Sequence, residues 1–203
     1  MKLSLDRNPA LTYVNRMQEI RFHGRGGQGT VVASMLLAKA FFKSGWFVQS
    51  FPAFGVERRG APVEAYLRID REKIRIRTNV SRPDHVLVQD VQLLNGVAVS
   101  NGLQPGGWIL INTVDGSVFC DQFSGFRVAA VDATRIAIDH SLGTRTHPYI
   151  NTAMIGAFAA VLGMPPMEAV SDAIREDIRV QPENNVRAAT QAFETVRQFG
   201  MVS

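Results

Sequence analysis

Arg21-Phe22-His23-Gly24-Arg25-Gly26-Gly27-Gln28-Gly29-Thr30 is the stretch on which the rest of the chain is read. A strand-like run from Glu19 to His23 ends in a glycine turn, and the apolar segment Val31 to Phe42 follows at once. That order predicts a strand, a tight turn and a helix over 28–44. Gly24, Gly26 and Gly29 satisfy G-x-G-x-x-G, with Gly27 between them. Such glycines permit positive φ and close approach of another group to the backbone. The first-turn N–H groups of the following helix lack partners inside it, and its dipole favours negative charge there. Gly24, Arg25, Gly26, Gly27, Gln28 and Gly29 are therefore candidates for holding a phosphate or carboxylate. A tight turn with no ligand is the competing reading.

The fingerprint alone does not make a dinucleotide site. Such a site also needs an acid at the end of the next strand, about 20 residues on, to hold the ribose. That region reads Trp46-Phe47-Val48-Gln49-Ser50 and has no acid. No Gly-Lys-Ser/Thr follows the glycines, so the turn is not a P-loop. Trp46 to Ser50 is predicted as a second strand, forming with the first a β-α-β unit and hence a parallel sheet.

Phe51 to Pro62 holds two prolines and the charged run Glu57-Arg58-Arg59, and cannot be regular throughout. It is predicted as a loop on the same sheet edge as the glycine turn. Phe51, Phe54, Glu57, Arg58 and Arg59 are candidate interface residues, because phenylalanines beside charges need cover. Val63, Ala65, Leu67 and Ile69 alternate with polar residues, and so do Ile74 and Ile76. The pattern predicts an antiparallel hairpin with a turn at 70–73. From Arg58 to Arg82 there are eight basic residues and three acids. A solvated face with cross-strand ion pairs, a phosphate-bearing cofactor or an acidic partner would each fit that cluster.

Further strands are predicted at 85–89, 108–112 and 126–131, with a helix after Asp132. The last third reads as three helices: one over 151–162, one opened by Pro165-Pro166 and one with an apolar face reaching Gly200. The fold class is therefore α/β: a mostly parallel sheet flanked by helices, an antiparallel hairpin and a helical C-terminal third. Residues 1–17 are expected to be an extension before a single domain over 18–203.

Composition narrows the function. Cys120 is the only cysteine, so neither an internal disulfide nor a four-cysteine iron–sulfur cluster belongs to this chain. Of 22 basic residues 18 are arginine, and the formal net charge is +4. A nucleic-acid binder needs a basic stripe with base-reading or stacking groups, and none is legible. No apolar run of signal or membrane-span length appears, so a cytoplasmic chain with no membrane partner is expected. His23, His85, His140 and His147 form no H-x-x-x-H pair, and no serine lies in G-x-S-x-G. No residue is assigned as catalytic or metal-binding.

His23-Gly24-Arg25-Gly26-Gly27-Gln28-Gly29, followed by Ser50-Phe51-Pro52-Ala53-Phe54-Gly55-Val56-Glu57-Arg58-Arg59-Gly60, resembles the gamma subunit of the 2-oxoacid:ferredoxin oxidoreductases. The resemblance runs from about Glu19 to the C-terminus. It implies a complex with alpha, beta and delta subunits that oxidatively decarboxylates a 2-oxoacid to acyl-CoA and passes electrons to ferredoxin. Thiamine diphosphate, magnesium and the iron–sulfur clusters would then sit in the other subunits. The loop 51–62 would meet partner subunits, and the glycine turn would be structural or part of the coenzyme A approach. The alternative is a stand-alone nucleotide- or CoA-binding domain using that turn.

Overall fold

The computed structural model describes residues 16–53 and 60–199. Phe54, Glu57, Arg58, Arg59 and most of the expected N-terminal extension lie outside the described residues. Among the described residues the central sheet has seven strands. They are β1 (Gln18–Arg25), β2 (Phe47–Pro52), β3 (Pro62–Asp70), β4 (His85–Val88), β5 (Trp108–Asn112), β6 (Arg127–Val131) and a short edge strand at Arg197–Phe199. Their order is β2-β3-β1-β4-β5-β6 and then the Arg197–Phe199 strand. The parallel neighbours are β1, β4, β5 and β6, while β3 pairs antiparallel with both β1 and β2. Five of the seven described strands therefore point one way, as the alternation of strands and helices predicts.

Three details differ from the sequence reading. The antiparallel partner of β3 is β2, in register from Phe47↔Asp70 to Pro52↔Ala65. Residues 74–77 form no strand, although Ile74 and Ile76 alternate correctly. Their backbone is instead held by side chains, with Gln49 Nε2 donating to Ile76 O at 3.0 Å. The β-α-β unit is real in direction, but β3 is inserted between β1 and β2. Finally, the last helix stops at Thr195, and Arg197–Phe199 pairs with β6. Three residues of strand there satisfy an otherwise open sheet edge, which helix periodicity cannot report.

Four long helices cover one face: α1 (Thr30–Lys43), then, after the short α2 (Ala133–Asp139), α3 (Asn151–Leu162), α4 (Met167–Asp177) and α5 (Pro182–Thr195). Alternation sends Ile20, Phe22, Leu67, Ile69, Leu87 and Leu110 to this side, against Leu37, Phe41, Met154 and Phe158. Val86, Val88, Ile109, Ile111 and Val128 point to the other side, where Val99, Leu103 and Phe123 from irregular segments cover them. β4 and β5 are thus buried on both faces, which explains their unbroken apolar runs. Nearly all of α3 is buried. Its Gly156 lies so close to α5 that a Cβ would stand 2.1 Å from Ala189 O.

Candidate functional site

The glycine turn lies at the carboxyl end of β1, between the strand and α1, as predicted. Its glycines are needed for different reasons. Gly27 and Gly29 have φ of 96° and 72°, which side-chain-bearing residues rarely adopt. Gly24 is needed for space, since a Cβ there would stand 2.1 Å from Thr30 Oγ1 and 2.6 Å from Gln89 Oε1. The turn closes on itself through Gln28 N to Arg25 O at 3.0 Å and Arg25 N to Gln28 Oε1 at 2.8 Å. Among the described residues no side chain caps α1, and no acid occupies its first turn. The positive end of that helix dipole is therefore not offset by its own sequence.

The end of the 51–62 connection does return to the same sheet edge. Gly26 N donates to Ala61 O at 2.9 Å, and Gly60 N donates to Gly26 O at 3.1 Å. Arg25 donates from Nε to Asp90 Oδ2 at 2.6 Å and from Nη1 to Gly60 O at 3.1 Å. Asp90 follows β4 and also accepts from Gln92 N at 2.9 Å, capping a 3-10 turn at Val91–Asn95. Two of the five guanidinium N–H donors are thus used to fix Arg25 in place.

Around the turn opens a cleft of about 980 Å³. It follows the carboxyl ends of β1, β4 and β5, the position where open α/β sheets gather ligands. Arg25, Gly26, Gly27 and Gln28 line it from the turn, Gln89, Asp90 and Gln92 from beyond β4, and Asn112 from β5. Thr134, and the segment from Arg145 to Ile150, close the other side. The loop expected at 143–148 is pinned there by a two-residue ladder of Gly143–Thr144 with His147–Pro148. The residues beyond the turn carry no motif in the sequence. Their common signal is position at the ends of parallel strands, legible only once strand order is known.

The cleft has a polar floor. Thr30 Oγ1 donates to Gln89 Oε1 at 2.6 Å, and Asn112 Nδ2 bonds Gln89 O and Thr134 Oγ1, each at 3.0 Å. Gln89 is only 1% exposed, and its Nε2 has no hydrogen-bond partner among the described residues. A buried amide donor left open costs about 1–3 kcal/mol. An acceptor supplied at the cleft floor would remove that cost. The donors, Arg25 and the uncapped helix all favour an anionic, hydrogen-bond-accepting ligand.

The topology also explains why no ribose-binding acid appears near Gln49. β3 separates β2 from β1, so the end of β2 is two strands from the turn. Gln49 instead bonds Arg68 Nη1 at 2.9 Å on the face away from the helices. Phe51 is half-buried on the same face, its ring 5.2 Å from that of Tyr66.

His23 sits beside the turn but is not among the cleft residues. Its side chain is buried on the face away from the helices, where Nε2 accepts from Arg21 Nε at 3.0 Å. The ring proton then lies on Nδ1, 3.5 Å from Glu64 Oε1. Burial, and then the charge of Arg21, push the His23 pKa down to about 3. His85 is likewise lowered, by burial first and then by Arg16. In the unfolded chain both titrate near 6.5. Between about pH 6.5 and 3 the unfolded state binds these protons and the folded state does not, so stability falls as pH falls through that window. Each histidine is expected to contribute at most about 1.4 kcal/mol per pH unit of this loss. Urea midpoints at pH 7.5 and 5 would read it, and His23→Gln should reduce the slope by roughly half; an unchanged slope would refute the assignment.

Among the described residues no group of three or more His, Cys, Asp or Glu is placed to hold a metal ion. No described helix is long and apolar enough to cross a membrane.

Over residues 19–195 the chain matches the family described as pyruvate ferredoxin/flavodoxin oxidoreductase. It is 48% identical to pyruvate synthase subunit PorC of Methanocaldococcus jannaschii over 186 residues, covering 91% of this chain and 100% of that protein. It is 47% identical to the pyruvate/ketoisovalerate oxidoreductases common subunit gamma of Thermococcus kodakarensis, covering 87% and 96% of the two chains. The crystal structure of the pyruvate oxidoreductase subunit PORC of Thermotoga maritima superposes with a TM-score of 0.78 at 36% identity, covering 92% and 100%.

Proposed function

Because the chain belongs to the pyruvate ferredoxin/flavodoxin oxidoreductase family, we propose that it is the gamma-type subunit of a multi-subunit, thiamine diphosphate-dependent 2-oxoacid:ferredoxin oxidoreductase. Residues 18–203 act as one gamma-type domain, with 1–17 as an extension before it. The partners are alpha, beta and delta subunits in the cytoplasm, with ferredoxin as electron acceptor. The observation that carries this reading is the near full-length match to proteins named as subunits of such oxidoreductases.

The donor set of this chain bears on where the cofactors go. One cysteine cannot supply a four-thiolate cluster. The described carboxylates and histidines form no ligand group for magnesium beside a diphosphate. In this reading the other subunits hold these groups. Coenzyme A fits the cleft better, because it brings phosphates to an uncapped helix and a buried unpaired amide donor. Gly24, Arg25, Gly26, Gly27, Gln28 and Gly29 would hold it, with Gln89 beneath them. Bound there, coenzyme A would supply the thiol that accepts the acyl group. The protein's part is positional: Asp90 and Gly60 O fix Arg25, and Thr30 fixes Gln89. No side chain of this chain is given a proton-transfer or nucleophilic role.

The test compares the isolated chain with the assembled complex. The chain alone is expected to show no 2-oxoacid oxidation, and the complex to show it with coenzyme A and ferredoxin. Strong thermal stabilisation of the isolated chain by NAD would favour the stand-alone nucleotide-binding alternative and overturn the proposal.

Phe51, Phe54, Glu57, Arg58 and Arg59 are proposed to meet a partner subunit. The Arg58→Ala, Arg59→Ala double change is expected to lower the yield of assembled complex in size-exclusion chromatography several-fold. Unchanged yield and activity would remove this loop from the interface.

A further inference from the structure

We propose that residues 71–82, with Phe47 on the adjoining sheet edge, form a docking surface for an acidic face of another protein chain. This strap leaves β3 at Asp70, the end of the sheet opposite the glycine turn, because β3 runs antiparallel to β1. It is a separate surface from the cleft and does not depend on what the cleft binds.

Charge is the first observation. Arg71, Lys73, Arg75, Arg77 and Arg82 stand against Glu72 alone, a local net charge of +4. The whole chain carries 22 basic and 18 acidic residues, so the remaining residues balance at 17 of each. The entire excess positive charge of the protein is thus concentrated in twelve residues. None of the five forms an ion pair with another described residue, whereas Lys39, Lys43 and Arg175 on the helical face are all paired. The Cα atoms of Arg75 and Arg77 are at most about 7 Å apart along extended chain, so one carboxylate-bearing face can meet both side chains.

Order is the second observation. The strap is built to present these charges. Gln49 Nε2 holds Ile76 O at 3.0 Å, the buried Arg68 holds Thr78 O at 2.7 Å, and Val80 is 2% exposed. Arg71 anchors the start of the strap from the helical side, 3.6 Å over the ring of Trp46. Apolar anchors accompany the charge. Ile76 is 43% exposed and Phe47, on the outer strand β2, is 48% exposed. Gln49 and Phe47 share one face of β2, so the Gln49 anchor puts the backbone of Ile76 on the side that Phe47 faces. Exposed apolar residues interleaved with arginine match the composition of protein interfaces. A single-stranded nucleic acid would call for aromatic platforms, and the strap itself carries none.

The experiment uses the full chain in cells that assemble it, with the photocrosslinking residue benzoylphenylalanine in place of Ile76. The control position is Val180, also exposed. Irradiation is expected to join position 76 to a peptide of another protein rich in Asp and Glu, identified by mass spectrometry. The crosslink should fall about tenfold in an Arg75→Glu, Arg77→Glu background and survive Arg75→Lys, Arg77→Lys. Should charge reversal impair folding, the yield with the native arginines between about 0.05 and about 0.5 M salt gives the same reading. A crosslink that ignores charge and salt, one confined to this chain, a nuclease-sensitive one, or none at all would overturn the proposal.

Discussion

Arg68→Ala is expected to destabilise the fold by about 3 kcal/mol, the lower end of the range for breaking a buried charge pair. Arg68 is 1% exposed on the face of the sheet away from the helices. Its Nε donates to Glu19 Oε1 at 2.7 Å, Nη1 to Gln49 Oε1 at 2.9 Å and Nη2 to Thr78 O at 2.7 Å. One guanidinium thus ties β1, β2 and the strap beyond β3. Removing it leaves the Glu19 carboxylate without its cation, and the Glu19 side chain is only 19% exposed. That residual exposure is why the lower end applies. For a chain of this size the melting temperature should drop by roughly 6–12 °C. Coupling supplies the check. Arg68→Met with Glu19→Gln removes both charges and should recover much of the loss, because neutralised pairs escape the desolvation cost. A loss within about 0.5 kcal/mol, the usual effect of a surface change, would mean that the network is ornamental.

The second large effect is expected at Gly24→Val. Its Cβ would fall on Thr30 Oγ1 and on Gln89 Oε1. Both partners are buried and bonded to each other, so neither moves freely. Overpacking of this kind costs about 1–3 kcal/mol. The functional consequence is more diagnostic. Forcing Thr30 away shifts the first turn of α1 and breaks the cleft floor. In the assembled enzyme, KM for coenzyme A is expected to rise at least about tenfold, equivalent to about 1.4 kcal/mol. KM for the 2-oxoacid should stay the same. Equal increases in both constants would show that the substitution disturbs the fold rather than a coenzyme A approach.

Much of this was legible from residue order. The glycine turn, the helix after it, the apolar runs of β4 and β5 and the capping of α2 by Asp132 each follow from local chemistry: backbone freedom, periodicity or a side-chain acceptor for an orphan N–H. Ile74 and Ile76 show the limit. Their alternation fits a strand, but the edge of β3 away from β1 is occupied by β2, with six registered residues. Gln49 holds Ile76 O instead, and Arg68 holds Thr78 O just beyond. Arg197–Phe199 fails the same way, because an open edge on β6 outweighs helix periodicity.

The chain alone determined that a parallel sheet would carry a glycine turn leading into a helix, and that one cysteine cannot supply a four-thiolate cluster. Both follow from composition and near-neighbour geometry. Folding decided what surrounds that turn. Gln89, Asp90 and Asn112 line its cleft because β4 and β5 follow β1 in the sheet, Arg145 because the Gly143–Thr144 ladder brings it there, and Gln49 does not because β3 lies between. Strand order is settled by contacts among residues far apart in the chain, where burial on two faces outweighs any local preference.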